Sequence, residues 1–410
     1  MPKRLLIIGF VWPEPKSSAA GSRMMQLIRF FQLENYEITF VSACAKTNNA
    51  VNLNAIGVED AFVELNNSSF NGFIKTLKPD VVLFDRFMTE EQFGWRVAQE
   101  CPNTIRVLDT EDLHSLRKGR HQAFKDKQPF SKRYLFNEIA KREIASIYRC
   151  DLTLMISEAE IEILSTDFNV PKSLLVYLPF LLEKLPEESI EELPYFEQRK
   201  HFVTIGNFLH EPNFNATLYL KETIWPLIKE KLPHAEMHIY GAYATQKVNQ
   251  LNNIKEGFMV KGFADDANKV MQQARVCLAP LRFGAGLKGK LIDAMKNGTP
   301  CVTTRIGAEG MFGNLAPNGF IEDLPDLFAE KSVQLYQEES LWRNKQLKGF
   351  EIIKKRFDAA KHQKNLLAVL VETEKNLPNH RLNNFTGQML QHHAMQSTKY
   401  MSKWIEEKNK

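Results

Sequence analysis

Residues 280–310 read PLRFGAGLKGKLIDAMKNGTPCVTTRIGAEG. The short apolar run Val276–Ala279 that leads into Pro280, and Cys301–Thr304 in its last third, have the length and residue types of buried strands. Between them lies a glycine-rich loop, then a helical pattern from near Lys290 to Asn297. Strand, loop, helix and strand in that order form a βαβ unit, which implies a parallel sheet.

The loop also has a chemistry. A glycine loop at a helix N-terminus offers backbone N–H groups and the positive end of the helix dipole to an anion. Gly284, Gly286 and Gly289 let the backbone approach a ligand closely, and Arg282, Lys288 and Lys290 add cations beside them. A diphosphate is the natural occupant. Asp293 follows Lys290 by three helical positions and can offer a carboxylate to vicinal hydroxyls such as those of a ribose. The alternatives are a charged helix face for Asp293 and a solvated basic loop for the cations, but the interleaved glycines serve no purpose in an ordinary surface turn and favour a ligand.

The same alternation extends in both directions. Upstream come strand patterns at His201–Ile205, Glu236–Tyr240 and Ile254–Lys261, with helical patterns between and after them at Phe214–Ile228 and Asp266–Ala274. Further upstream, short apolar runs at Leu5–Phe10, Glu37–Ala43, Asp80–Phe84, Ile105–Asp109 and Leu152–Ser157 alternate with helical segments and predict a second parallel sheet. Between them FLLEKLPEESIEELPYFEQRK loses periodicity and gathers glutamates and prolines, as an exposed linker does. The division is therefore 1–180 for an N-terminal Rossmann-like domain, 181–200 for a linker, 201–375 for a C-terminal Rossmann-like domain and 376–410 for a helical tail. The tail carries Phe385, Met389, Leu390, Met395, Tyr400, Met401, Trp404 and Ile405 at roughly helical spacing, which predicts an amphipathic helix packed by its apolar residues.

The totals exclude several classes. With 410 residues, 44% hydrophobic and 25% charged, the chain can bury more than one core. Its net charge of +4 comes from 53 basic and 49 acidic residues spread along its length, so no nucleic-acid partner is expected. Five scattered cysteines without C-x-x-C spacing read as reduced thiols. Leu5–Val11 is too short for a signal-peptide core or a bilayer span, so a cytoplasmic protein is expected, at most touching a membrane from inside.

The segment 280–310 resembles the donor-binding motif of glycosyltransferase family 4 and its GT-B relatives, most closely a subgroup with a GxGxKxKxLEAMxxGxPVV-like pattern. LIDAMKNGTPCVTT stands against LEAMAxGxPVV, with Asp293 in place of the second motif glutamate. The resemblance implies an α/β GT-B fold of two domains facing a cleft, a C-terminal helical tail that can cross back to the N-domain, a nucleotide-sugar donor held chiefly by the C-terminal half, and retention at the anomeric carbon. In the family the first of two glutamates contacts the transferred sugar and the second the ribose; the first falls on Ala285 here. Val203–Asn213, VTIGNFLHEPN, resembles the family's first C-domain strand and turn. Gly206 there lets the backbone pass near the donor phosphates, and Asn207, His210 and Asn213 stand where an Arg and a Lys are usual. His210 reads as a turn histidine without a catalytic role. The Pro-rich loop FVWPEPKSSAAGSRMMQLI, with Gly21 before a helix, resembles the N-terminal loop that approaches donor and acceptor.

The N-domain stretch DTEDLHSLRKGRH, Asp109–His121, follows a strand that should end at the cleft and resembles the loop that faces the bound sugar in bacterial relatives. Asp112 and His114 are the catalytic candidates, against a reading as capping or surface groups. No D-x-D motif occurs, so fixed cations would replace a metal and no cofactor is expected. The acceptor, whether glycan, lipid-linked or protein, has no residue code. Two rivals stay open: a non-catalytic nucleotide-sugar-binding protein, suggested by Ala285, and a nucleotide-sugar epimerase, for which Glu111, Asp112 and His114 are the available acid–base groups.

Overall fold

The computed structural model describes residues 2–409, with the backbone alone for Ala394 and Met395. The first sheet is built from β1 (Lys3–Gly9), β2 (Tyr36–Ser42), β3 (Glu59–Phe62), β4 (Val81–Asp85), β5 (Ile105–Asp109), β6 (Leu152–Met155) and β7 (Leu175–Tyr177). It is parallel throughout, in the order β3-β2-β1-β4-β5-β6-β7. Side chains alternate along β1, so Leu5 and Ile7 enter one apolar layer while Leu6 and Ile8 enter the other. Both faces are covered, which is why this strand reads as an unbroken apolar run.

The second sheet contains β8 (Lys200–Ile205), β9 (Met237–Tyr240), β10 (Phe258–Gly262), β11 (Ala274–Ala279), β12 (Cys301–Thr303) and β13 (Gly319–Ile321). Its order is β10-β9-β8-β11-β12-β13, again parallel. Two Rossmann-like domains are thus present, as expected. In each sheet the strand order reverses beside the first strand, at β1/β4 and β8/β11, where open α/β sheets bind ligands. The loops after β1, β8 and β11 are those singled out in the sequence.

Three strands lack a counterpart in the sequence reading: β3, β7 and β13. All are short and lie at sheet edges. The strand expected from Ile254 begins at Phe258, and the helix expected near Lys290 begins at Gly289.

The C-terminal segment departs from expectation twice. Helix Glu339–Arg356 packs on the C-domain helix Gly289–Lys296. Helix Ala359–Lys375, assigned to the C-domain by its sequence position, instead inserts Leu366 and Leu370 into the layer containing Leu5 and Ile7. The crossing comes at Phe357–Ala359, where Leu182 of the linker donates to Phe357 O (2.8 Å) and accepts from Ala359 N (2.9 Å). Helix Phe385–Lys408 lies on the N-domain with Leu390 and Ile405 half-buried, but much of its apolar set is exposed. Gly387 and Ser402 are buried there, Ser402 Oγ accepting from Arg96 (2.9 Å), while Phe385, Tyr400 and Trp404 are 73, 64 and 59% exposed. Small residues permit the backbone approach, since a Cβ on Gly387 would lie 2.1 Å from Tyr148 O. The five cysteines are free thiols; Cys44 is exposed.

Candidate functional site

Beyond β11 the chain turns through 280–288 into helix Gly289–Lys296. Gly286 has φ +66°, and a Cβ there would stand 2.8 Å from Asp112 Cβ, so this loop presses on the N-domain where only glycine fits. Gly289 meets the other domain too: its Cβ would lie 2.7 Å from that of Ala19, the first residue of helix Ala19–Leu33. Two helix N-termini therefore converge across the domain seam. In the C-domain helix the first internal bonds run from Leu291 and Ile292 N to Lys288 O (2.9 and 3.3 Å). The amides of Gly289 and Lys290 precede them and are open to an outside acceptor.

The three predicted cations have three different fates. Lys290 Nζ donates to Asn213 Oδ1 (3.0 Å), and burial pulls its pKa down to about 8. Lys288 folds under its own loop, donating to Ala285 O (3.0 Å) and Gly286 O (2.5 Å), with burial bringing it also to about 8 against the pull of Glu309 and Glu160. It holds the loop's shape. Arg282 donates to Asn215 Oδ1 (2.9 Å) and lies between the rings of Tyr219 and Phe124, 4.4 and 4.6 Å from their centroids. Its charge is engaged away from the helix start. Burial pushes Asp293 up to about 6, with Lys296 working against the shift.

Of the remaining predicted glycines, Gly21 packs on the Glu14 backbone, 2.4 Å from where its Cβ would be, and Gly206 packs on Asn213 at 2.8 Å. Asn207 Oδ1 accepts from Leu209 N (2.9 Å) and shapes the turn. These residues set loop geometry around the seam.

In the N-domain, β5 ends at Asp109, which accepts from Arg23 at 2.8–3.2 Å in a fully buried pair. Glu111 follows with φ +63°, uncommon for a residue with a side chain. Burial and the nearby Asp109 and Asp85 push its pKa up to about 8. Asp112 goes the other way: burial opposes its ionisation, but Arg117, His114 and His210 together hold it below the usual carboxylate range. His114 Nδ1 lies 3.1 Å from Asp112 O, and its backbone N–H donates to Glu143 Oε1 (2.8 Å). Asp112 and His114 are thus brought together at the seam, beside a cavity of about 240 Å³ lined by His114, Arg117, His121, His210 and Phe283.

Several further groups close this seam. Arg120 makes a two-pronged pair with Glu309 (2.6 and 2.7 Å) and donates to Gly284 O (2.9 Å). Arg117 Nη1 stands 2.9 Å from His210 Nε2, and burial lowers His210 to about 4. Glu160 Oε1 accepts from Gly286 N (2.7 Å) and Leu113 N (3.2 Å); burial and Asp112 push it up to about 7. Arg117 and Arg120 belong to the charged stretch the sequence flagged, whereas Glu160, in SEAEIEIL, reads as one helix-face glutamate among others.

Residues 199–338 match the family model described as Glycosyl transferases group 1. An uncharacterized 44.6 kDa protein of the Klebsiella pneumoniae cps region is 23% identical over 244 residues, 57% of this chain and 60% of the relative, so less than two thirds of that protein is spanned. Sucrose-phosphate synthase from Thermosynechococcus elongatus has a similar structure, with a TM-score of 0.68 at 14% identity over 90% of this chain and 98% of that one. The Anabaena HepE protein in complex with UDP-glucose gives 0.67 at 11% identity over 90 and 99%. At such identities the likeness establishes the shared two-domain architecture.

Proposed function

We propose, for a chain whose residues 199–338 match the glycosyl transferases group 1 model and whose two sheets form the GT-B fold, that it moves a sugar from a nucleotide-sugar donor to a hydroxyl acceptor. The observation that carries this reading is the convergence of two helix N-termini at Gly289 and Ala19, beside the ammonium of Lys290. Two helix N-termini and a lysine gathered at one seam suit a diphosphate. Asp293, one turn along the same helix, takes the ribose hydroxyls. Lys288 supports the site by bracing the loop from beneath.

Charge grows on the diphosphate oxygens as the glycosidic bond breaks, so donors already oriented there stabilise the transition state more than the ground state. Asp112 and His114 face the reacting sugar or acceptor from the N-domain. Retention follows if the leaving phosphate itself takes the acceptor proton on the same face. Lys290 and the helix ends do the work a metal would do, so turnover is metal-independent in this reading. The HepE complex with UDP-glucose supports a UDP-sugar as the first donor to test. We place the activity in the cytoplasm and in polysaccharide biosynthesis, a setting the cps-region relative suggests; no helix among the described residues is long and apolar enough to cross a membrane.

A thermal-shift screen of UDP, GDP and ADP and their sugars tests the proposal, because a ligand bound only by the folded state raises the melting temperature. A nucleotide sugar that stabilises the chain should also be turned over in the presence of glycan or lipid-linked acceptors. A screen in which no nucleotide shifts the melting temperature refutes it. A second reading has one observation in its favour: Glu111 and Asp112 are adjacent carboxyls pushed in opposite directions, the arrangement an acid–base pair needs for epimerisation. Incorporation of solvent deuterium into recovered nucleotide sugar would select that reading over transfer.

A further inference from the structure

We infer that Glu160, with Asp112 beside it, accepts hydrogen bonds from hydroxyl groups of the donor's sugar, so that the N-domain delivers across the cleft a carboxylate that the glycine loop itself lacks. The inference rests on the nucleotide-sugar reading above and names the part of the site that reads the sugar.

Glu160 lies on helix Glu158–Thr166 and is 0% exposed. Both of its hydrogen bonds fall on one oxygen: Oε1 accepts from Gly286 N at 2.7 Å and from Leu113 N at 3.2 Å. Oε2 is buried and has no hydrogen-bond partner among the described residues. Buried carboxylate oxygens are rarely left so, because desolvation is uncompensated. Asp112 Oδ1 is also buried without a hydrogen bond, with His114 Nδ1 3.3 Å away, and Asp112 Cβ would be 2.8 Å from a Cβ on the same Gly286. An orphaned oxygen of Glu160 and a weakly held one of Asp112 thus flank one glycine of the loop.

The character of the ligand follows from charge. A phosphate would be repelled by two carboxylates, and a cation is already supplied by Lys288, whose Nζ donates to Gly286 O. Neutral hydroxyls donate to carboxylate oxygens without either conflict. The order along the loop agrees: carboxylates gather at Gly286, while the open amides and the Lys290 ammonium lie from Gly289 onward. A ligand with hydroxyls at one end and a diphosphate at the other matches that polarity.

Glu160→Gln separates recognition from scaffolding. The amide keeps a carbonyl oxygen for Gly286 and Leu113 N–H but turns the orphaned oxygen into a donor. UDP, GDP, UDP-glucose, UDP-galactose and GDP-mannose are titrated by calorimetry into the wild-type chain and the variant. The nucleotide sugar that binds the wild type should lose about ten-fold or more in affinity, while its parent diphosphate changes by no more than about two-fold and so reports an intact fold. Asp112→Asn, measured identically, should show the same split. Equal losses for diphosphate and nucleotide sugar, or no loss for either, overturn the inference and leave the transferase reading standing. Failure of every nucleotide to bind the wild type overturns both.

Discussion

Replacing Lys290 with Met should make the free protein more stable at neutral pH and a poorer binder of nucleoside diphosphate. Burial lowers this ammonium from the ordinary 10.5 to about 8. That gap corresponds to about 3 kcal/mol. Above pH 10.5 the lysine is neutral in both states and costs nothing. As pH falls from 10.5 to about 8 the unfolded chain takes a proton that the folded chain does not, so stability is lost across that window and the penalty is complete below it. Methionine has no such penalty but gives up the bond to Asn213 Oδ1, about 1 kcal/mol. The net gain is about 2 kcal/mol at pH 7, shrinking toward zero by about pH 10. Urea unfolding at the two pH values, wild type against Lys290→Met, reads the difference directly. A bound diphosphate favours the charged form, so the variant should lose about ten-fold or more in affinity for UDP or GDP, whichever binds. Wild-type binding near pH 8.5 should also take up protons, visible by calorimetry in buffers of different ionisation enthalpy. If Lys290→Met is less stable at pH 7 and binds the diphosphate as before, Lys290 is a structural partner of Asn213 and the anion site lies elsewhere.

Three further outcomes are expected. A 2′,3′-dideoxy nucleoside diphosphate should bind the wild type about ten-fold or more weakly than the normal nucleotide, yet bind Asp293→Ala equally well; an unchanged loss in the variant would remove Asp293 from the ribose. Gly289→Ala places a Cβ 2.7 Å from that of Ala19, so it should hold the domains apart and depress turnover while shifting the melting temperature little; full activity would show that the two helix ends need not meet. Turnover should survive EDTA, and loss restored by manganese or magnesium would assign the diphosphate to a metal instead of to Lys290 and the helix dipoles.

The alternation of short apolar runs with helical periodicity made the two parallel sheets legible, because a strand covered on both faces needs a run such as Leu5–Ile8 and the crossover needs a helix. The edge strands β3, β7 and β13 escaped for the same reason in reverse: they are three or four residues long, and a short edge carries too few apolar positions to stand out. The C-terminal boundary escaped because a helix shows in its sequence that it has an apolar stripe, not which sheet the stripe will cover; Leu366 and Leu370 cover the first.

At the site, the local chemistry was legible in the sequence: glycines and lysines around a helix start suit an anion wherever that helix stands. The direction of each side chain was decided only by the tertiary structure. Lys288 and Lys290 are two residues apart, yet packing turns one beneath its own loop and leaves the other at Asn213, while aromatic rings from both domains draw Arg282 away. Glu160 reaches Gly286 from 126 positions away along the chain. Periodicity and propensity act over a few residues; which carboxylate is desolvated, and against which amide, depends on how two separately folded sheets close on each other.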